Sequence, residues 1–232
     1  MPIQVPLPFA FHGNQDFDSY FEGPNRQVLE SLKSLARQET GERFLFIRAD
    51  TGFGKSHLLQ ATCRAASQLN HSAFYLPLGD LSTLGAGILE GLEAYRLVCV
   101  DDIDSIAGKP EWETAFFHFF NRHQEKSNYL IVSASLPPQS LRIQLNDLAS
   151  RLQWGLTLEI KGLSDTDKLE ALTLRAKQLG FGLPKKVGRF LLNRYPRDLP
   201  TLWKILENLN YASLSEHRKL TIPFLKSHLP ER

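Results

Sequence analysis

Ala49-Asp50-Thr51-Gly52-Phe53-Gly54-Lys55-Ser56 lies between an apolar run, Phe44–Ile47, and a segment of helical character, Ser56–Leu69. A strand, a glycine-containing loop and a helix form the context that a phosphate-binding loop requires. Glycines let successive backbone N–H groups point into one concavity, and the helix N-terminus adds partial positive charge. In the pattern G-x-x-x-x-G-K-[ST], the leading glycine is replaced here by Ala49, which is the mildest replacement. We therefore predict that this loop binds the phosphates of a nucleotide rather than being a chance glycine-rich turn.

An acidic pair, Asp101-Asp102, follows the apolar run Leu97–Val100. In a nucleotide site, Lys55 would reach the β- and γ-phosphates and the Ser56 hydroxyl would ligate Mg²⁺. We predict that Asp101 lies on the Mg²⁺ side, bound directly or through water. Asp102 would polarise the attacking water, although a glutamate would reach one methylene further. The alternative for the pair is the solvated start of a loop.

A third polar element follows the apolar run Leu130–Val132, where the chain continues through Ser133 and Ala134 into a serine- and proline-containing loop. A polar side chain at the end of a strand beside the first two motifs would sense the γ-phosphate. Ser135 is the candidate for this sensor. An ordinary loop start is the alternative.

The order of apolar runs and helical patterns predicts an α/β fold over residues 16–160. Strands are predicted at Phe44–Ile47, Ala73–Leu76, Leu97–Val100, Tyr129–Val132 and Leu156–Ile160, and helices at Asn25–Gln38, Ser56–Leu69 and Trp112–Lys126. Strands that alternate with helices favour a parallel sheet flanked by helices on both faces. The prolines at positions 2, 6 and 8 oppose regular structure, so residues 1–15 are predicted to form an extended tail.

The remaining residues, 161–232, have a different pattern and a different charge. They carry 14 basic and 7 acidic residues, whereas residues 1–160 carry 13 and 18. Helices are predicted at Asp165–Leu179, Lys185–Asn193, Leu199–Ala212 and Pro223–Leu229. We predict a small all-helical domain behind the α/β domain.

Composition excludes several classes of protein. With 42% hydrophobic and 22% charged residues and a net charge of +2, the chain is neither disordered nor a histone-like DNA binder. Its two cysteines, Cys63 and Cys99, match no zinc or disulfide pattern, so we expect both to be buried. No apolar stretch approaches the ~20 residues that span a bilayer, and the N-terminus lacks the basic region and apolar core that are typical of a signal peptide. A cytoplasmic protein without membrane contact is expected.

Three stretches resemble the AAA+ ATPases, and more narrowly their DnaA replication-initiator branch. Gly54–Ala61 resembles the branch's G-K-[ST]-H-L-L-x-A helix start, and Val100–Ile103 resembles its acidic motif. Asp147–Leu156 is similar to its arginine-finger stretch, D-R-L-x-S-R-F-x-W-G-L. The resemblance runs from about Phe11 to Leu229 and implies an AAA+ P-loop domain with a helical lid. It also implies that Arg151 is an arginine finger acting in trans, the alternative being an ordinary surface salt bridge.

The tail sequence Gln4-Val5-Pro6-Leu7-Pro8-Phe9 resembles the clamp-binding motif Q-[LV]-x-L-x-[LF]. Its glutamine amide and its alternating Leu7 and Phe9 could occupy a groove on a partner. A terminus that folds back on its own core would have the same sequence character. Initiators carry a further C-terminal helix-turn-helix domain, whereas this sequence ends just after the helical region. Together these features resemble the regulatory inactivators of the branch.

That resemblance implies a regulatory adaptor and its ligands. The implied cofactors are ADP, or ATP, with Mg²⁺. The implied partners are the DnaA initiator, the polymerase sliding clamp (β subunit), DNA indirectly through the clamp, and a second copy in a homo-oligomer. Such an adaptor would have no robust ATPase activity of its own. A self-sufficient ATPase such as a helicase loader is the rival, but it leaves Gln4–Phe9 unexplained, and a small-molecule kinase leaves Arg151 unexplained.

The resemblance also locates nucleotide contacts outside the loop. The initiators' lid pattern V-R-E-L-E-G aligns with Asp198–Leu202, so Pro200 stands where the nucleotide-contacting arginine would be. Arg197, one helical turn before Pro200, would substitute. Phe17–Phe21 resembles the segment that lines the base pocket. The predicted nucleotide-binding residues are Thr51, Gly52, Phe53, Gly54, Lys55, Ser56, His57 and Arg197.

Overall fold

The computed structural model describes residues 15–81, 83–216, 218 and 220–229 of the 232-residue chain. The chain divides into two compact units between Gly162 and Leu163. The predicted clamp-binding residues Gln4, Leu7 and Phe9 lie outside the described residues.

The first unit contains a five-stranded sheet. Its strands are β1 Phe44–Arg48, β2 Ala73–Pro77, β3 Leu97–Asp101, β4 Tyr129–Ala134 and β5 Leu156–Glu159. All pairs are parallel, in the spatial order β2-β3-β4-β1-β5. In the register, Val132 of β4 pairs with Phe46 of β1 on one side and with Val100 of β3 on the other. The loops after these three central strands therefore meet at the carboxyl edge of the sheet, where α/β proteins bind ligands.

Helices of the first unit connect the strands. They are α1 Arg26–Ala36, α2 Lys55–Gln68, α3 Leu78–Leu81, α4 Pro110–Glu125 and α5 Asn146–Leu152. Short 3₁₀ turns lie at Phe17–Ser19, Gly23–Asn25, Ala86–Leu89, Leu92–Ala94, Ile103–Ile106 and Pro138–Ser140. Helix α4 begins with Pro110, whose fixed φ suits a first helical position where no N–H is needed.

The central strands β1, β3 and β4 are buried on both faces because they are nearly continuous apolar runs whose side chains alternate between the faces. Phe44 and Phe46 belong to a core shared with the aromatic face of α4, whereas Leu45 and Ile47 belong to a core shared with α1 and α2. The aromatic residues that α4 supplies are Trp112, Phe116, Phe119 and Phe120. This packing fixes the strand that leads into the phosphate loop from both sides.

A buried asparagine joins the beginning of the first unit to its end. Asn25 is 2% exposed, and its side-chain amide donates to the Lys161 carbonyl oxygen at 3.0 Å. Its Oδ1 accepts the Lys161 backbone N–H at 2.7 Å. The Asn25 amide thus satisfies both backbone groups of Lys161, as a neighbouring strand would. It fixes the segment before α1 to the chain that follows β5.

The second unit is helical. Its helices are α6 Asp165–Gln178, α7 Lys185–Arg194, α8 Leu199–Glu216 and α9 Ile222–His228. A capping box begins α6, in which Ser164 and Asp167 satisfy each other's backbone N–H. Gly180, at φ +87°, supplies the left-handed residue after α6. Leucines of all four helices meet in one apolar core, among them Leu172, Leu191, Leu206 and Leu225, and Phe224 of α9 completes it.

The predicted fold class is confirmed: a parallel α/β sheet domain is followed by a small helical domain. Cys63 and Cys99 are both fully buried and free, as expected. The sequence did not predict α5, whose seven residues are too few for a clear helical period. No helix among the described residues is long and apolar enough to cross a membrane.

Candidate nucleotide-binding site

The predicted phosphate loop follows β1 and leads directly into α2. Gly52 and Gly54 have φ angles of +86° and +93°, which L-residues with a side chain adopt at a cost. Ala49, 2% exposed, donates its N–H to the Ala134 carbonyl of β4 at 3.1 Å. Within the described part of the chain, no acceptor is found for the backbone N–H groups of Gly54, Lys55 and Ser56. A row of unsatisfied donors at the start of a 14-residue helix suits an anion such as a phosphate.

Lys55 lies in this loop with its ammonium group directed inward. The side chain is 7% exposed, and Nζ donates to the Ala49 carbonyl at 3.2 Å. Its second neighbour is Asp102, whose Oδ1 lies 3.6 Å from Nζ. Because an ammonium group has three donors, one remains for a phosphate oxygen.

The acidic pair at the end of β3 divides into a buried and a half-exposed carboxylate. Asp101 is 2% exposed, and both of its oxygens are occupied: Oδ2 accepts the Tyr75 hydroxyl at 2.8 Å and Oδ1 accepts the Ser133 hydroxyl. Asp102 has 45% of its side chain exposed and a left-handed backbone, φ +55°. Burial and the neighbouring Asp101 charge raise the pKa of Asp102, while Lys55 partly offsets this. Asp101 is therefore held in place by two hydroxyl groups, and Asp102 is the carboxylate that is open to solvent.

Ser133 links the Asp101 carboxylate to the backbone of Asp102, and the sequence did not predict this role. Ser133 is fully buried; its hydroxyl donates to Asp101 and accepts the Asp102 backbone N–H at 3.1 Å. Ser135 is half-buried, and its backbone N–H donates to Asp104 Oδ2 at 3.0 Å. The sequence signal for Ser133 was a hydroxyl within an otherwise apolar strand. Tyr75 was also missed; burial and then the Asp101 charge raise its pKa.

The segment predicted to line the base pocket packs against the phosphate loop. A Cβ added to Gly54 would lie 2.8 Å from Cε2 of Tyr20, so a larger residue there would displace that ring. The Tyr20 hydroxyl donates to the Phe53 carbonyl at 3.4 Å, and burial raises its pKa to about 12. His57 Nε2 lies 2.9 Å from the Asp16 carbonyl oxygen, which places this side chain on the segment rather than in the loop. Burial lowers the pKa of His57.

The oxygen-rich donor set fits Mg²⁺ held together with a nucleotide. Among the described residues, no group of three or more His, Cys, Asp or Glu could hold a metal alone. Mg²⁺ commonly takes one or two protein oxygens and completes its shell with phosphates and water. Here the Ser56 hydroxyl would be a direct ligand. Asp101, with both oxygens occupied, would act through a bound water.

Arg151 lies on α5, near its C-terminal end. Its guanidinium carbon is 3.7 Å from the centroid of the Trp154 ring, and Trp154 is 64% exposed. Leu148 and Leu152 of the same helix are fully buried. Within the described chain, no carboxylate pairs with Arg151, so the predicted alternative of a surface salt bridge has no partner there.

Arg197, in the helical unit, makes contacts within that unit. Its Nε donates to the Leu192 carbonyl at 3.1 Å, and one terminal nitrogen lies 3.2 Å from Asp165 Oδ2. Pro200 lies in the first turn of α8, where Asp198 accepts the Thr201 N–H at 2.9 Å. Arg197 is therefore held by a carbonyl and a carboxylate of its own unit. Its contact with a bound nucleotide stays a prediction.

Two family models match the chain. A model described as "Hda, lid domain" matches residues 165–229, nearly the whole helical unit. A model described as "Bacterial DnaA ATPase domain" matches residues 88–159, which include the acidic pair and α5. The sequence features that suggested the resemblance lie partly within these regions.

Several solved structures share the fold. Domain III of the replication initiation protein DnaA from Thermotoga maritima is 22% identical, with a TM-score of 0.75 over 93% of this chain and 95% of that one. AMPPCP-bound DnaA from Aquifex aeolicus is 22% identical, with a TM-score of 0.70 over 88% and 68%. The Holliday-junction branch migration motor RuvB from Thermotoga maritima is 13% identical, with a TM-score of 0.67 over 93% and 71%. At these identities the similarities establish the fold alone.

Proposed function

We propose that this chain, parts of which match models of the Hda lid domain and the bacterial DnaA ATPase domain, is a regulatory adaptor of the replication initiator DnaA. In this proposal it holds ADP and Mg²⁺ in its own phosphate loop and binds the DNA-loaded sliding clamp through its tail. It then presents Arg151 to ATP bound by the initiator and stimulates hydrolysis there. The initiator returns to its ADP form, which prevents re-initiation of chromosome replication.

The observation that carries the proposal is the state of Arg151. A finger must approach a phosphate on another molecule, so it cannot be neutralised by a carboxylate of its own chain. Arg151 has no such partner in the described residues, and the Trp154 ring supports its guanidinium at 3.7 Å. A planar guanidinium held this way keeps its forked donors free for two phosphate oxygens. Stabilising the charge of a phosphoryl transition state this way contributes ~10³–10⁵ in rate.

The chain's own acidic pair supports retention of a nucleotide more than its hydrolysis. Asp102 is an aspartate where a glutamate would reach further toward an attacking water, and it lies 3.6 Å from Lys55 Nζ. A general base must approach the proton it removes within hydrogen-bond reach. We therefore expect steady-state ATP turnover by the isolated protein to be negligible. Substantial turnover would instead favour the self-sufficient ATPase.

A reconstituted assay tests the proposal with initiator-bound ATP, clamp loaded on DNA, and wild-type or variant chain. Arg151→Ala should remove most of the stimulation while ADP binding and clamp binding persist. Arg151→Lys should restore little, because a point charge cannot reproduce the planar fork. The matched control is Arg142→Ala, an exposed arginine of the same unit, which should stimulate fully. Full stimulation by Arg151→Ala would overturn the proposed function.

The tail is tested in the same system. Gln4→Ala, or the pair Leu7→Ala and Phe9→Ala, should abolish co-elution with the clamp and leave the melting temperature nearly unchanged. The reason is that an extended segment contributes its side chains to a partner's groove. A large fall in melting temperature would show instead that the tail packs on the chain's own core.

A further inference from the structure

A second carboxylate of the α/β unit, Glu113, is fully buried. It belongs to the first turns of α4, and each of its oxygens accepts backbone hydrogen bonds. Oε1 accepts the Gly108 N–H at 2.7 Å, and Oε2 accepts the N–H groups of Gln144 and Leu145 at 2.9 and 2.8 Å. Removing a carboxylate from water is costly, and three charge-assisted hydrogen bonds offset that cost.

Two of these bonds hold the chain immediately before α5. Leu145 is the N-cap residue of α5, and its side chain makes no cap hydrogen bond. A helix of seven residues is too short to be stable without tertiary contacts, which here are the buried Leu148 and Leu152 together with the Glu113 bonds. Apolar packing fixes which side of the helix faces the core, but directional hydrogen bonds fix where the helix begins.

We propose that Glu113 is a positioning residue for Arg151: by holding the amides of Gln144 and Leu145, it sets the start of α5 and thus the place of the guanidinium six residues further on. The inference rests on the proposed function, in which Arg151 acts on a phosphate of the initiator. Displacement of a reacting group by about 1 Å costs up to roughly 100-fold in rate. Loosening of α5 should therefore reduce stimulation without affecting the phosphate loop.

The test variant is Glu113→Gln, which keeps the size of the side chain. An amide has one acceptor oxygen, and its NH₂ group meets at least one backbone N–H donor, so the three bonds cannot all persist. Glu111→Gln is the matched control, because Glu111 lies two residues earlier on α4 and is exposed. Glu113→Asp, which withdraws the charge by one methylene, replaces Glu113→Gln if the latter fails to fold.

Each variant is measured for hydrogen exchange of the Gln144 and Leu145 amides, for ADP affinity and for stimulation of initiator-bound ATP hydrolysis. For Glu113→Gln we expect exchange roughly tenfold faster or more, unchanged ADP affinity and at least tenfold weaker stimulation. In an Arg151→Ala background, the same change should cause no further loss of stimulation, because its effect passes through Arg151.

The role of Glu113 would be overturned if Glu113→Gln left the exchange of the Gln144 and Leu145 amides unchanged or stimulated hydrolysis fully. It would also be overturned if Glu113→Gln lowered stimulation further in the Arg151→Ala background. These results leave the proposed function standing as long as Arg151→Ala alone is inactive. Full stimulation by Arg151→Ala alone would overturn the proposed function itself, and the two failures are therefore distinguishable.

Discussion

Replacing Ser133 with alanine removes the hydroxyl that connects Asp101 to Asp102. The Asp101 carboxylate loses one charge-assisted hydrogen bond, and the Asp102 backbone N–H loses its acceptor. A hydrogen bond to a charged group contributes about 1.5–3 kcal/mol, and an unsatisfied buried donor costs about 1–3 kcal/mol. Because Asp102 is half-exposed, water replaces part of its loss. We expect Ser133→Ala to lower the free energy of unfolding of the α/β unit by about 2–4 kcal/mol.

Urea unfolding of the full chain measures this loss, and the matched variant is Ser135→Ala. The backbone N–H of Ser135 keeps its bond to Asp104 in an alanine, so this variant should change stability by less than about 0.5 kcal/mol. If Ser135 senses the γ-phosphate as predicted, its loss should alter the preference between ATP and ADP instead. Equal destabilisation by the two variants, or a loss below about 0.5 kcal/mol for Ser133→Ala, would refute the reasoning.

Two further predictions concern the loop and the core. Lys55→Ala should weaken ADP binding by about 10- to 100-fold in calorimetry, because a charge-assisted contact with a phosphate is lost. Lys109 is exposed, so Lys109→Ala should bind ADP with the wild-type affinity. Equal ADP affinities of the two variants would contradict the assignment of the phosphate loop. Burial lowers the pKa of His123 to about 4, so the unfolded chain binds a proton more readily than the folded one. The contribution of the buried, neutral His123 to the free energy of unfolding is therefore fully present above about pH 6.5. It falls by up to about 3 kcal/mol as the pH decreases towards 4. His123→Gln should remove that dependence from urea midpoints measured across this range, and an unchanged pH profile would contradict it.

The central strands and the phosphate loop were predictable because their signals are local. A buried parallel strand is a continuous apolar run, and the loop has a fixed spacing of glycines and lysine between a strand and a helix. The short helix α5 was not predictable, since only Leu148 and Leu152 mark its buried side.

Ser133 and Glu113 were not predictable for a different reason. Ser133 lies beside Asp101 because β3 and β4 pair in parallel with Val100 opposite Val132. That register depends on packing across the whole sheet and not on neighbouring residues. Two of the three amides bound by Glu113 lie 31 and 32 residues further along the chain. Such partners become visible only when the chain has folded.

The contact between His57 and the Asp16 carbonyl oxygen would limit how far a partner held by the proposed tail motif can lie from the phosphate loop. His57 is the third residue of α2, the helix that the loop begins, so Asp16 is a fixed anchor beside that loop. Phe9 precedes Asp16 by seven residues, and a fully extended chain spans at most about 25 Å over that interval. A protein that holds Phe9 is thus tethered at short range, and its local concentration at this face reaches the millimolar level typical of short linkers. If the tail captures a partner as proposed, later encounters beside the phosphate loop become intramolecular events.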